Sequence, residues 1–229
     1  MNKSETSTQH ESSSSWLQNN WFRAFILIYG LWVWLPFLAP VLMHWGWILP
    51  ANLIYRVYSF ACHQLPDRSY FLFGSQTSYP LSDIQAVWMD TSNLSLLRRF
   101  IGTSTMGWKI AWSDRMISLY NGIWLLSLLW YPFRKKIKGL PVWGLILFLL
   151  PLAVDGSTHF ISDLRGIGMG FRNTNQWLAA LTNQVFSHSF YVGDALGSFN
   201  SWMRILTGLL AAIGLVWFAF PSIYRSFIE

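Results

Sequence analysis

Between Trp21 and Trp45 the chain runs for 25 residues with no Asp, Glu or Lys and a single Arg, Arg23, at its edge. About 20 apolar residues cross a hydrocarbon layer of about 30 Å. This run is long enough to do so, which argues against an ordinary soluble fold. The rest of the composition agrees. Residues are 53% hydrophobic and 11% charged, with 15 Trp, where soluble domains carry roughly 25% charged residues. That excludes a disordered chain, a coiled coil and a collagen-like rod. A single Cys excludes an intramolecular disulfide framework and any multi-Cys zinc or iron–sulfur site built by one chain. The net charge of +6 has no clustered basic domain behind it, so it reads as membrane topology and not as affinity for nucleic acid.

Three further apolar stretches follow, near 116–133, 140–154 and 203–224. The expected fold class is all-α: a polytopic integral membrane helical bundle of about four spans, with a re-entrant or interfacial helix and an outer helical cap. Pro36 and Pro40 should kink the first span, which membrane helices tolerate. Ala51–His63 is apolar but short and carries Arg56, which suits an interfacial or re-entrant segment better than a span. Apolar spacing across Leu81–Ile101 suggests two short helices broken at Thr91–Asn93. Residues 1–20, with four serines in a row at 12–15, read as a disordered cytoplasmic tail. Residues 21–229 form a single membrane domain, with outer segments at 46–115 and 155–202.

Arg134, Lys135, Lys136 and Lys138 fill the tight turn between the second and third spans, with no acid among them. Short loops weigh most in the positive-inside rule. The turn is therefore expected in the cytoplasm, and with four spans both termini lie there too, in a multi-pass cell-membrane protein. Seven of the ten acids then fall outside or at its edge: Asp67, Asp83, Asp90, Asp114, Asp155, Asp163 and Asp194.

Three polar clusters meet that outer boundary. Cys62-His63 sets a thiol beside an imidazole, both suited to zinc, although a buried Cys next to a hydrogen-bonded His is the plain alternative. Ser113-Asp114-Arg115 opens the second span, where an acid commonly serves as a helix cap. Asp155 and His159 stand four apart and share a face on a continuing helix. There they could hold a metal ion or form an acid/base pair, or belong to an interfacial helix capped by Asp155. Arg68, Arg115, Arg165, Arg172 and Arg204 fall on the same side, suited to phosphate or to ion pairs with the nearby Asp residues. There is no P-loop, GxSxG or HExxH.

At Cys62-His63-Gln64-Leu65-Pro66-Asp67-Arg68-Ser69, followed by Phe73-Gly74, the chain resembles the domain of unknown function 2085 family, multi-pass membrane proteins with a Cys-His-Gln signature. The resemblance continues through Ser113-Asp114-Arg115 with Tyr120 and Gly122, Asp155-Gly156 with His159, and Arg204 with Thr207-Gly208, covering Ala61 to about Gly214. Many relatives look to have Cys-x-Arg-Cys or Cys-x-Arg-Asp where this chain has Ser113 and Met116. That resemblance implies a thiolate metal site in them and a departure from it here.

Two functional expectations follow. In the first, an outward-facing site makes a metal-dependent hydrolase or transferase acting on a lipid-linked substrate. Cys62, His63, Asp155 and His159 hold a divalent ion such as zinc, Asp114, Asp155 and His159 act in catalysis, and Arg68 and Arg204 bind substrate. In the second, the chain is a non-catalytic assembly subunit or small transporter whose polar cluster is structural or substrate-binding. Its partners are the lipid bilayer and a lipid-linked substrate, and not nucleic acid.

Overall fold

The computed structural model describes residues 20–227, so the tail expected over 1–20 lies outside the described residues except for Asn20. Among the described residues, three helices are long and apolar enough to cross a membrane. The first is α1 (Ser4–His44), described from Asn20 onward. The others are α7 (Val142–Asp163) and α11 (Phe199–Ser226). Pro36 and Pro40 lie inside α1, Pro151 inside α7 and Pro221 inside α11. Their exposed faces carry large apolar side chains such as Leu27, Ile28, Leu31, Ile146, Leu147 and Leu150. That outward arrangement suits lipid as the solvent.

The stretch expected as the second span is helical from end to end but not uniform. It begins as α5 (Asp114–Met116), loosens into a π-turn over Ile117–Asn121, tightens again as α6 (Gly122–Trp130) and ends in a 3-10 turn at Tyr131–Phe133. It lies parallel to α11 along most of its length. Arg204 bonds Asp114, Gly122 faces Ala212, and Trp130 meets Phe220 with ring centroids 5.4 Å apart. Gly208 permits the approach: a Cβ there would strike the Ser118 hydroxyl and sit 3.0 Å from the Arg115 carbonyl oxygen. Small residues are what let membrane helices come this close. Helix α7 runs antiparallel to α11, with Leu140 N–H donating to the Trp217 carbonyl at its start and Phe148 against Gly214 further on.

One end of the bundle gathers Trp21, Phe22, the basic turn after Phe133 and the last turns of α11. Phe22 stacks on Tyr131 at 4.1 Å, and Trp21 lies 5.9 Å from Phe227. Short elements gather toward the other end, and together they are called the cap. It holds α2 (Ile48–Tyr58), β1 (Ser69–Leu72), α3 (Leu81–Val87), α4 (Leu94–Leu97), β2 (Gly102–Thr103) and β3 (Gly107–Ser113). The short helices α8 (Phe171–Thr174), α9 (Gln176–Leu181) and α10 (His188–Tyr191) complete it. The break expected at Thr91–Asn93 is real, with the Asn93 side chain accepting from Leu96 N–H to start α4.

The fold class needs one correction: it is mostly helical but not all-α. β1, β3 and β2 form an antiparallel sheet with β3 in the centre. β3 is buried along nearly its whole length, on both faces. A strand covered on both faces shows no apolar/polar alternation, and so Gly107–Ser113 carries no period-2 signal. Trp112 anchors it, fully buried against Trp32, Tyr58 and Tyr120.

Candidate functional site

The cap is joined to the long helices by a buried ionic network. Arg204, in the second turn of α11, is 2% exposed. Its Nε donates to both Asp114 oxygens at 2.9 and 3.0 Å, and its Nη2 donates to Asp114 Oδ2 at 2.7 Å. The same guanidinium donates from Nη1 to Asp194 Oδ1 and from Nη2 to the Asp194 carbonyl. Arg68 takes the other side of Asp194, with Nε and Nη2 donating to Oδ2 at 3.1 and 2.9 Å. Arg68 also grips Asp163 with two parallel bonds of 2.7 and 2.8 Å, the geometry that favours Arg over Lys for a carboxylate.

A second group forms around Asp155. Arg115 Nη2 donates to its Oδ2 and Arg172 Nη2 to its Oδ1, both at 2.7 Å. His159 connects the two groups. Its Nδ1 lies 3.0 Å from the Asp155 carbonyl oxygen, and its Nε2 lies 3.5 Å from Asp194 Oδ1. A carbonyl can only accept, so Nδ1 carries a proton and donates to it. The 3.5 Å approach of Arg115 Nη2 to that same nitrogen is then a contact between two donors and not a hydrogen bond. His159 Nε2 is buried and has no hydrogen-bond partner.

Four guanidinium groups thus meet four carboxylates. Asp67 stands beside them, its Oδ2 4.0 Å from Arg68 Nε and its Oδ1 without a partner. Burial pushes its carboxyl up to about 6, against the opposing pull of Arg68. Asp194 behaves oppositely. Burial would raise it, but Arg68 and Arg204 hold it well below the usual carboxylate range. His63 is held well below the usual imidazole range, first by burial and then by Arg68, Arg115 and Arg204. Its Nδ1 accepts from Leu65 N–H at 3.1 Å, which fixes the proton on Nε2.

The family pattern described as a predicted membrane protein, domain of unknown function 2085, matches residues 102–218, just over half of the chain. The chain belongs to this family. The domain of unknown function 2085 match takes in Asp114, Arg115, Asp155, His159, Asp163, Arg172, Asp194 and Arg204, nearly the whole network, and begins after Cys62–Gln64. The chain is also similar to an uncharacterized protein of Methanocaldococcus jannaschii, 27% identical over 203 residues that cover 83% of this chain and 87% of that one. No solved structure matches it.

Among the residues expected to act, Asp114, Asp155, His159, Arg68 and Arg204 all join this network. Neither Asp114 nor Asp155 serves as the N-cap. Ser113 holds that position for α5, and Asp155 lies well inside α7, which runs on to Asp163. Cys62 stands apart, buried beside Ser113, with its Sγ accepting from the N–H groups of Gln64 and Ser113 at 3.4 Å each. Cys62, His63, Asp155 and His159 therefore do not assemble as a ligand set. Among the described residues no three His, Cys, Asp or Glu side chains are placed to hold one ion, and both Asp155 oxygens already accept from Arg. A divalent metal does not fit this arrangement. Four members, Arg115, Arg172, Asp163 and Asp194, lacked an assigned role in the sequence. Arg115, Arg172 and Asp163 had only their charge as a signal. Asp194 sits in a loop between Gly193 and Gly197, both at positive φ, where no periodicity points to it.

Proposed function

We propose that the chain is a four-span membrane protein whose cytoplasmic face carries both termini and the basic turn, and whose outer cap is fastened to the spans by the Arg–Asp network. The run Asp114–Phe133 is the fourth span, supported by its parallel course beside α11. At 11 residues, α2 is about 16 Å long, too short to cross, and it lies in the interface. Cysteine reporters near Ser75, Lys136 and Ser226, in a chain with Cys62 replaced, test the map with an impermeant thiol reagent. Labelling is expected from outside at Ser75 only, and labelling at Lys136 sinks it.

The network is a structural lock in a non-catalytic membrane protein, an assembly subunit or a small transporter. The observation that carries this reading is that Asp114, Asp155, Asp163 and Asp194 each accept from at least one guanidinium. None is left free as a ligand or a general base. Enclosed pairs of this kind hold elements in one arrangement, because losing either partner leaves a buried charge.

The second reading, a metal-dependent hydrolase or transferase acting on a lipid-linked substrate, draws on one observation, the unpartnered and buried His159 Nε2. Elemental analysis of untagged protein in mild detergent, supplied with zinc and manganese, separates the two. The lock predicts no stoichiometric ion. One ion per chain that disappears in His159→Ala would overturn the lock and restore the enzyme.

A further inference from the structure

A second polar feature lies in the cap, away from the network. Between the C-terminal end of α2 and the end of α4, Tyr55, Arg56, Ser59, Gln64, Arg98 and Arg99 line an open cavity of about 550 Å³. Three of its lining residues are Arg and none is acidic. Arg98 is fixed in place by Nη2 donating to the Ser59 carbonyl at 3.0 Å. Arg56 and Arg99 make no side-chain hydrogen bond or ion pair among the described residues.

A lysine lies behind the cavity wall, and burial lowers its ammonium group to about 7. Lys109 is fully buried, and its Nζ donates to the carbonyls of Gln64 at 2.7 Å and Arg98 at 2.8 Å, both lining residues. No carboxylate pairs with it among the described residues. Burial of an ammonium without a counter-ion is costly, and a negative charge placed in this cavity would offset that cost.

The adjoining helix face sets the depth at which the cavity sits. Leu49, Leu53, Val57 and Phe60 form one strip along α2 and its C-terminal turn, between 44% and 91% exposed, with Trp45 and Trp47 exposed just before it. An amphipathic helix with such a face rests in the headgroup and acyl boundary, and Trp anchors at the same level. The Arg-lined cavity beside it therefore opens at headgroup depth. Its volume is in the range of small-molecule sites, far above that of a bare ion.

We propose that this cavity binds a phosphate group, supplied by the headgroup of an anionic membrane lipid or by free phosphate. The guanidinium groups of Arg56, Arg98 and Arg99 are the donors, and the α2 strip seats the acyl chains when the source is a lipid.

Equilibrium binding to the full-length chain in a neutral detergent tests this. The probes are a fluorescent phosphatidylglycerol, a fluorescent phosphatidylcholine and inorganic phosphate as competitor. Phosphatidylglycerol is expected to bind at least tenfold more tightly than phosphatidylcholine, with millimolar phosphate displacing little of it, which assigns the site to a lipid headgroup. Full displacement by phosphate at micromolar concentration assigns the site to free phosphate. In either case Arg56→Gln with Arg99→Gln should weaken binding at least tenfold. Both side chains are exposed, so folding is expected to survive, and Ser95→Glu, which adds an acid to the lining, should weaken binding comparably. Equal binding of the two lipids without phosphate competition, or unchanged binding in both variants, overturns the proposal. Neither result bears on the Arg–Asp lock, which shares no residue with this cavity.

Discussion

At Arg204, α11 is held by a guanidinium enclosed between Asp114 and Asp194. About four turns further on, at Phe220, it is held by ring edges and faces from Phe25 at 5.1 Å, Trp130 at 5.4 Å and Phe22 at 6.4 Å. The same helix thus uses two kinds of attachment. At the aromatic end, lipid tails are as apolar as the packed rings, so association rests on dispersion and shape, without the water-driven term that operates in soluble cores. Each contact there is modest and separable from its neighbours. At the charged end, members share partners, with Asp194 held by two arginines and Arg204 by two carboxylates, so the contacts are coupled and behave as a unit. Attachment through charge is specific and all-or-none, whereas attachment through rings is graded.

The sharpest way to break this comparison is Arg204→Leu, which strands Asp114 and leaves Asp194 to Arg68 alone. Breaking one side of a buried pair costs about 3–5 kcal/mol, and the loss in unfolding free energy in detergent should be at least that large. Adding Asp114→Leu should restore part of it, as coupled partners do. Phe220→Ala should cost less, about 2 kcal/mol, below the 3–5 kcal/mol typical of a water-soluble core because the transfer term is weakened in lipid. A larger loss from Phe220→Ala than from Arg204→Leu, measured by the same unfolding assay, would reverse the comparison.

A smaller effect concerns pH. The carboxyl of Asp67 is raised from its ordinary 3.8 to about 6, so the folded state holds that proton more tightly than the unfolded chain. Its contribution to stability is full below about pH 4 and is lost as pH rises through about 6. Asp194 is shifted downward, so its contribution is kept through this window and falls away only at lower pH. Asp67→Asn is therefore expected to flatten the stability profile between pH 4 and 6. An unchanged slope in the variant would place the titration elsewhere.

The three long apolar helices were legible because length and the absence of charge suffice to mark them, and the Asp155–His159 face was legible because their spacing matches one helical turn. Three features were not. α7 continues past Val154 because its acids and His are enclosed by Arg side chains from distant segments, and the local sequence shows only polarity. β3 hides its period because neighbours cover both of its faces. The ligand set failed for a related reason: residue types suited to zinc were present, but Arg115 and Arg172, remote from Asp155 in sequence, occupy its oxygens. Asp194 bridges two arginines from a loop, and no pattern of adjacent residues announces a partner 126 positions away.

The π-turn over Ile117–Asn121 has a consequence for how this protein can change. It holds one residue more than a regular helix of that rise would need. Deleting a single residue there would restore an ordinary helix with the flanking turns still in phase, whereas deleting one within α6, where no extra residue is stored, would turn everything before it by about 100°. Asp114 would swing away from Arg204, and Arg115 from Asp155, although no member of the network had been altered. The number of residues from Gly122 to Trp130 is therefore as constrained as their identity. Single-residue deletions across this segment should be tolerated far less well than conservative substitutions at the same positions, and insertions should be accepted sooner in the exposed basic turn after Phe133.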